Sequence, residues 1–509
     1  MAASDVMITG LSPSDPVPGV YPEIRFAQGP VAGNSSVYEA VILANKLSTG
    51  SGTVDTVVYG PDSPDPIQTE QQIIDKAGAG SEAHRMFRRF TKFNLTTPLR
   101  FVFVTESAGA KATYNIVFAT TATGVGSVRI WVGDEFCDAP ISTGDTVTVI
   151  GDAAAAAINA NTHWGVTAVN TAGSVAVTAK QKGPRGNQIR VMASIQSLGS
   201  IGTTVTPTTD TPLAGGTTAD SNTTALATIA SKRYYYIVSA AGDATQLGAL
   251  ATQVNTMAIP VNNKRQRVVA GAVGTLNASN TIATGLNNPR VEIVWSEKSP
   301  RTEAELAAGC AGIYALGEAN TNNPRTSFVG YGNAADTATT WDVPAPRDAS
   351  AHPTRASISS AILNGLSPIG VNANGTTYLV DRVTTRTLSG STADYRIRDS
   401  HKVTICDYVG DEGAAKLTLQ FGGKRIGDDP PQGGKMPGPE VVTPSMVRLA
   451  LLGLIDKFDA NDLLQDTQKI KDEMVVQRAT SPRTRMDIII PLRPIDNLKQ
   501  IGFLINQVA

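Results

Sequence analysis

Residues 234–295 read YYYIVSAAGDATQLGALATQVNTMAIPVNNKRQRVVAGAVGTLNASNTIATGLNNPRVEIVW. Three short apolar runs, YYYIV (234–238), RVVAG (267–271) and VEIVW (291–295), alternate with helical patterns over 243–257 and 276–286. A continuous apolar run of about five residues bounded by turn residues is the signature of a strand buried on both faces. Strands separated by helices predict βαβ units and a largely parallel sheet covered by helices. Flanking helices are expected at 221–231 and 302–317, and FVFVT (101–105) is assigned to the same sheet. YEAVILANKL (38–47) is compatible with a further core strand, and 69–93 with a helix.

Working outward, the texture between Ser107 and Gly215 is rich in Thr, Gly and Val. Short runs, YNIVF (114–118), VRIWV (128–132), TVTVI (146–150), VAVTA (175–179) and IRVMAS (189–194), predict strands, with one helix over 152–161. Its formal charges cancel, six basic against six acidic, which suits a decoration or lateral contact surface better than a catalytic unit. Residues 320–376 are rich in Pro, Asn, Thr and Gly and are expected to be a linker with one short helix after Pro353. Beyond them TYLVDRVTTRTL (377–388) is expected to be a strand and 395–421 largely helical. Thr443–Pro444 supplies an N-cap and first-turn pair. The helix it opens carries Val447, Leu451, Leu454, Ile455 and Phe458 on one face. KDEMVVQRA (471–479) and TRMDIIIP (484–491) are expected to form a hairpin.

The fold class expected is therefore α/β plus β, multi-domain: an α/β domain (34–106 and 216–375) interrupted by a β-rich insertion (107–215), an α+β C-terminal domain (376–498) and extended arms at both ends (1–33 and 499–509). In the N-terminal arm Val20, Ile24 and Phe26 alternate with Tyr21, Glu23 and Arg25, and Pro16, Pro18, Pro22 and Pro30 forbid a helix. In the C-terminal arm Ile501, Phe503 and Ile505 alternate in the same way. Such strands either complete their own sheet or pair with a neighbour. Residues 1–33 sum to −2 and 483–509 to +2, which either helps one arm find the other or deters aggregation at strand edges.

A net charge of −1, with 17% charged residues, argues against nucleic acid or an anionic membrane as partner. No run of about 18 apolar residues and no signal-peptide pattern is present, so a cytoplasmic origin without membrane insertion is expected. Cys137, Cys310 and Cys406 are too far apart for a zinc or redox motif and are expected to be buried thiols. The four histidines have no metal-like spacing. AGAGSEAH (77–84) and FGGKRIG (421–427) lack the pattern of a phosphate loop. No catalytic residue, metal site or cofactor is assigned.

Several stretches carry a family pattern. RVTTRT (382–387), YRIRDSHKV (395–403), VTPSMVRLALLGLI (442–455) and RMDIIIPLRPIDNLKQIGFLINQ (485–507) resemble the C-terminal domain of the contractile tail sheath proteins of bacteriophages. VPGVYPEIRF (17–26) resembles the family's N-terminal arm, and the insertion resembles the decorating domain of Mu-like sheaths. The chain departs from the pattern at DDPPQGGKMPGPE (428–440), a proline-rich loop.

The resemblance implies a structural subunit of the virion tail, assembled in the host cytoplasm as six-fold rings stacked helically around a tube. It implies that the C-terminal domain lies innermost and that arms add strands to neighbouring subunits. Its partners would be other copies, the tail tube protein, and baseplate and tail terminator proteins. Contraction would drive the tube through the host envelope without consuming a nucleotide. The arm contacts expected on that basis are Val20, Tyr21, Ile24, Phe26, Ile501, Phe503 and Ile505. Met474, Val476, Ile488 and Ile490 would form the receiving hairpin, and Lys469, Lys471, Arg478 and Arg483 would face the tube. The competing readings are an α/β enzyme with an appended β domain, and a surface adhesin, which lacks a secretion signal.

Overall fold

The computed structural model describes residues 38–60, 64–259, 262–319, 327–394, 396–431, 434–435, 437–480 and 483–505. The N-terminal arm, with Val20, Tyr21, Ile24 and Phe26, lies outside them.

The apolar runs build one eight-stranded sheet. Its order is Thr377–Leu379, Ser367–Val371, Val291–Trp295, Arg267–Ala272, Tyr236–Ser239, Ala40–Ala44, Leu99–Phe103, Val57–Val58. The six central strands run parallel, and the two edge strands are antiparallel. Successive residues of one strand feed opposite cores. Ala40, Ile42 and Ala44 pack with Phe87, Phe90, Leu306 and Tyr314 on one face. Val41 and Leu43 pack with Leu226, Leu247, Leu250 and Val254 on the other. Both faces are covered by helices, so both alternating sets must be apolar, which is why these strands read as unbroken runs.

Some helices start on side-chain caps, whereas Thr443, at the N-cap of Pro444–Asp459, makes no cap bond through its side chain. Asp243 caps Ala244–Ala258, and Thr275 caps Leu276–Leu286. The single helix expected over 69–93 is two, Glu70–Ala77 and Glu82–Thr91. Gly78 and Gly80 turn the chain between them at positive φ, and Ser81 caps the second.

The region expected to be a linker contributes to the sheet instead. Phe328, Trp341 and Val343 are buried in its core, and Ser367–Val371 joins it next to Val291–Trp295. The strand expected over 377–388 is confined to Thr377–Leu379 and closes the same sheet. Aromatic residues dispersed among Pro and Gly hide such a contribution, because their partners lie elsewhere in the chain.

The insertion forms two four-stranded antiparallel sheets around one core running from Ala112 to Leu213. TVTVI is not a strand. Thr146 caps a helix, Val147–Ala160, that buries Ile150, Ala154, Ala155 and Ile158 against the sheets. The alanine run extends helix back through a segment whose local preference is for strand, since tertiary burial outweighs β propensity. Val166–Thr171 and Glu135–Ile141 are strands whose polar outward faces conceal them.

The last part stacks helices Ser400–Phe421, Pro444–Asp459 and Thr467–Glu473 on a hairpin of Val475–Arg478 and Met486–Ile489. All five apolar residues assigned to the second helix are buried. The hairpin is shorter than expected because 467–473 is helical. Cys310 is buried, but Cys137 is half-buried and Cys406 exposed. Among the described residues no helix is long and apolar enough to cross a membrane.

Candidate interaction site

The C-terminal tail is the feature that the rest of the fold leaves unfinished. Residues 496–505 form no strand, so the terminal strand expected over 499–508 is absent as far as residue 505. Ile501, Phe503, Leu504 and Ile505 are 77–84% exposed. Four large apolar side chains within five residues are costly in water at about 1.5–3 kcal/mol each. Period-two alternation gives them a strand's pattern but no sheet to join within the chain.

A partly open sheet precedes them in the chain. In the hairpin, Val475 pairs with Ile489 and Val476 with Ile488. The Ala479 N–H donates to the Arg485 carbonyl at 2.9 Å. In an antiparallel pair hydrogen-bonded and open positions alternate. The bonded pairs are then 479/485, 477/487 and 475/489. The backbone groups of Val476 and Arg478 point out along one edge, and those of Met486 and Ile488 along the other. Met474, Val476, Ile488 and Ile490 turn their side chains into the C-terminal core. They therefore have backbone, not side chains, to offer a docked strand. Val475 and Ile489, which lie within the expected receiving hairpin, are the exposed apolar pair on its outer face. Their alternation with the core residues was the available signal.

The basic residues are already partnered. Lys471 meets Asp456, and Arg478 and Arg483 share Asp428 at 3.2 and 2.7 Å. Lys469 lies 3.9 Å from Glu473 one turn on. On exposed side chains such pairs contribute little and exchange readily with another acidic surface.

The RVTTRT and RDSH stretches do work of another kind. Arg267 and Glu292, on adjacent strands of the large sheet, are fully buried and paired. Arg382 joins them, bonding Glu292 through Nε at 2.7 Å and reaching Glu318. The Ser400 hydroxyl donates to Glu292 at 2.6 Å, and Thr404 to Glu318 at 3.0 Å. Two guanidinium groups thus balance two carboxylates. Burial alone would raise the Glu292 pKa, but Arg267 and Arg382 outweigh it and hold the carboxyl below its ordinary value. Glu318, more dominated by burial, is pushed up. Asp407 with Arg290, and Asp411 with Arg233 and Arg265, extend the ionic seam along the helix Ser400–Phe421. This seam fixes the C-terminal helices to the parallel sheet.

A matching seam fixes the insertion. In open parallel sheets, ligands sit in the crevice at the carboxyl ends of the strands, where the strand order reverses. Here that place follows Ala44 and is filled by Arg185 of the insertion. Its guanidinium bonds Glu82 at 2.7 Å, Asp220 at 2.7 Å and Asn45. The remaining histidines serve packing. His84 links Gly80 to Glu70, His163 lies on Glu135, and His352 on the Pro346 carbonyl. Among the described residues no group of three or more His, Cys, Asp or Glu could hold a metal.

No protein-family model matches the chain. It is 22% identical over 480 residues to the Mu-like prophage FluMu tail sheath protein of Haemophilus influenzae, covering 93% of both chains. The chain is a relative of the Mu-like tail sheath proteins. Among solved structures it is similar to the sheath tail protein of Desulfitobacterium hafniense, at 14% identity and a TM-score of 0.48, covering 94% of this chain and 97% of that one. It is also similar to the contracted helical sheath of the anti-feeding prophage, at 10% identity and a TM-score of 0.48, covering 96% and 99%. As a relative of sheath proteins, the chain is a structural protein and not an enzyme.

Proposed function

We propose that this chain is the structural subunit of a contractile phage tail sheath, polymerising with copies of itself as stacked six-fold rings around an inner tube. The observation that carries the reading is the relationship to a tail sheath protein along 93% of both chains. The exposed Ile501, Phe503, Leu504 and Ile505 support it from within the chain. A strand left without a sheet in one copy is satisfied by a neighbour's open edge.

In this reading residues 500–509 pair with a hairpin edge of the next subunit, extending the backbone ladder at Val476 or at Ile488. The N-terminal arm, through Val20, Tyr21, Ile24 and Phe26, adds a second strand to the same assembly. Main-chain pairing suits a machine that shortens, because a strand bond is directional while its tether is flexible. Lys469, Lys471, Arg478 and Arg483 face acidic tube subunits. Baseplate and terminator proteins close the two ends, and contraction drives the tube through the host envelope. Electron microscopy of the purified chain tests this. Rings or striated tubes are expected, and compact particles at every concentration would refute it.

A further inference from the structure

The tail changes character at one residue, Lys499. Upstream it is tied down. The Ile495 N–H donates to the Leu463 carbonyl at 3.0 Å, and the Gln465 N–H to the Arg493 carbonyl at 2.9 Å. His401 Nε2 donates to the Ile495 carbonyl at 3.0 Å, which leaves Nδ1 free to accept from Asn497 Nδ2 at 3.2 Å. Both contacts need one neutral tautomer, and burial favours the neutral ring by lowering the His401 pKa. Lys402 pairs with Asp496, and Lys499 Nζ sits between Asp381 and Asp399. Beyond Lys499, residues 500–505 make no hydrogen bond to another described residue.

The acceptor is rigid and the strap is not. Asp381 and Asp399 are 6% and 8% exposed. A bridge between Val383 and Asp399 zips their segments together, with Thr384 N–H to the Arg398 carbonyl at 2.7 Å and Ser400 N–H to the Arg382 carbonyl at 3.2 Å. The strap buries little apolar surface, since Ile495 is 38% and Leu498 72% exposed. Its hydrogen bonds can be replaced by water at small net cost, so the Lys499 ion pair with the buried Asp381 and Asp399 is the one costly tie to break. Immediately before it, Ile488, Ile490 and Leu492 pack against the core, so the hairpin does not share this freedom.

We propose that residues 494–499 are a releasable strap that gives the C-terminal arm two lengths. Strapped, the arm begins at Gln500. Released, it begins at Pro494 and gains six residues (494–499), about 20 Å of extended reach. This rests on the reading that the arm pairs with a neighbouring subunit. It gives that pairing a means of surviving a change in subunit spacing.

Hydrogen exchange on the full-length chain tests it in two stages. In the unassembled chain, Lys499→Gln is expected to speed exchange at Ile495 and Gln465 by about tenfold or more while helix 444–459 keeps its protection. Lys499→Arg restores protection by keeping the charge. Unchanged exchange in Lys499→Gln overturns the strap. In wild-type tubes, residues 493–499 are expected to exchange faster than in the free chain in either the extended or the contracted form, with 500–505 protected. Equal protection of 493–499 in the free chain and in both tube forms overturns the second length. Absence of tubes, or 500–505 unprotected within them, instead refutes the pairing reading, leaving the first stage to judge the strap.

Discussion

Removing Gln500–Ala509 separates folding from assembly. In the isolated chain Ile501, Phe503, Leu504 and Ile505 are 77–84% exposed, so their loss has almost no packing to remove. A change in stability below about 0.5 kcal/mol is expected, as for ordinary surface substitutions. In an assembly the same residues are covered. Three of them on one strand face contribute about 1.5–3 kcal/mol each, roughly 4.5–9 kcal/mol per arm. Ordering residues 500–505 costs about 1–2 kcal/mol per residue, or roughly 6–12 kcal/mol. Burial and ordering nearly cancel, so backbone bonds to the hairpin edge, at about 1 kcal/mol each, decide the sign. Each arm is weak alone, and tubes depend on many arms engaging together. The assay pairs thermal melting by circular dichroism with electron microscopy of concentrated protein. The truncated chain is expected to melt within a few degrees of the full chain and to form no tubes. Tubes at the wild-type concentration, or a loss of more than about 5 °C in melting temperature, would refute the reasoning.

Three further outcomes follow from particular groups. Glu292→Ala strands Arg267 in the interior, leaves Arg382 only Glu318, and is expected to cost about 3–5 kcal/mol in urea unfolding; a loss below about 1 kcal/mol would mean that water compensates the pair. Burial raises the Glu303 carboxyl from 4.5 to about 7, against the pull of Arg185 and the Gly242 N–H. The folded chain therefore holds a proton that the unfolded chain releases. This stabilisation is full below about pH 4.5 and disappears as pH rises towards about 7, a slope that Glu303→Gln should flatten in pH-dependent melts. Reversing charge at Lys469 and Lys471 is expected to weaken co-sedimentation with tail tubes while leaving the melt within a few degrees; unchanged co-sedimentation would show that these charges meet only solvent and their own carboxylates.

The parallel sheet was legible because both of its faces are buried. YYYIV, RVVAG and VEIVW leave no polar alternation to misread, and Asp243 and Thr275 announce the helices between them. Helix 444–459 was legible for the same reason, as its five buried residues fall on one face. Elements held mainly by distant partners were not. TVTVI alternates like a strand yet is helical, because Ile150 and Ile158 find the insertion's sheets. Ser367–Val371 reads as loop because Pro368 and Gly370 break its pattern, and only its place beside Val291–Trp295 makes it a strand.

The site divides along the same line. The alternation of Ile501, Phe503 and Ile505 is a property of the chain, and so are the family stretches that pointed to a sheath. That the hairpin's expected receiving side chains turn towards the core, leaving backbone to receive a strand, depends on a register set by the pairing of Val475–Arg478 with Met486–Ile489. Lys499, 118 residues from Asp381 and 100 from Asp399, moves the free end of the strapped chain to Gln500. By itself the sequence determined which segments prefer to be strands, helices and arms, because those preferences come from local pattern and burial period. Which charges neutralise one another, which crevice Arg185 fills and where the arm comes free were decided only by the tertiary structure, because each depends on groups brought together across long stretches of chain.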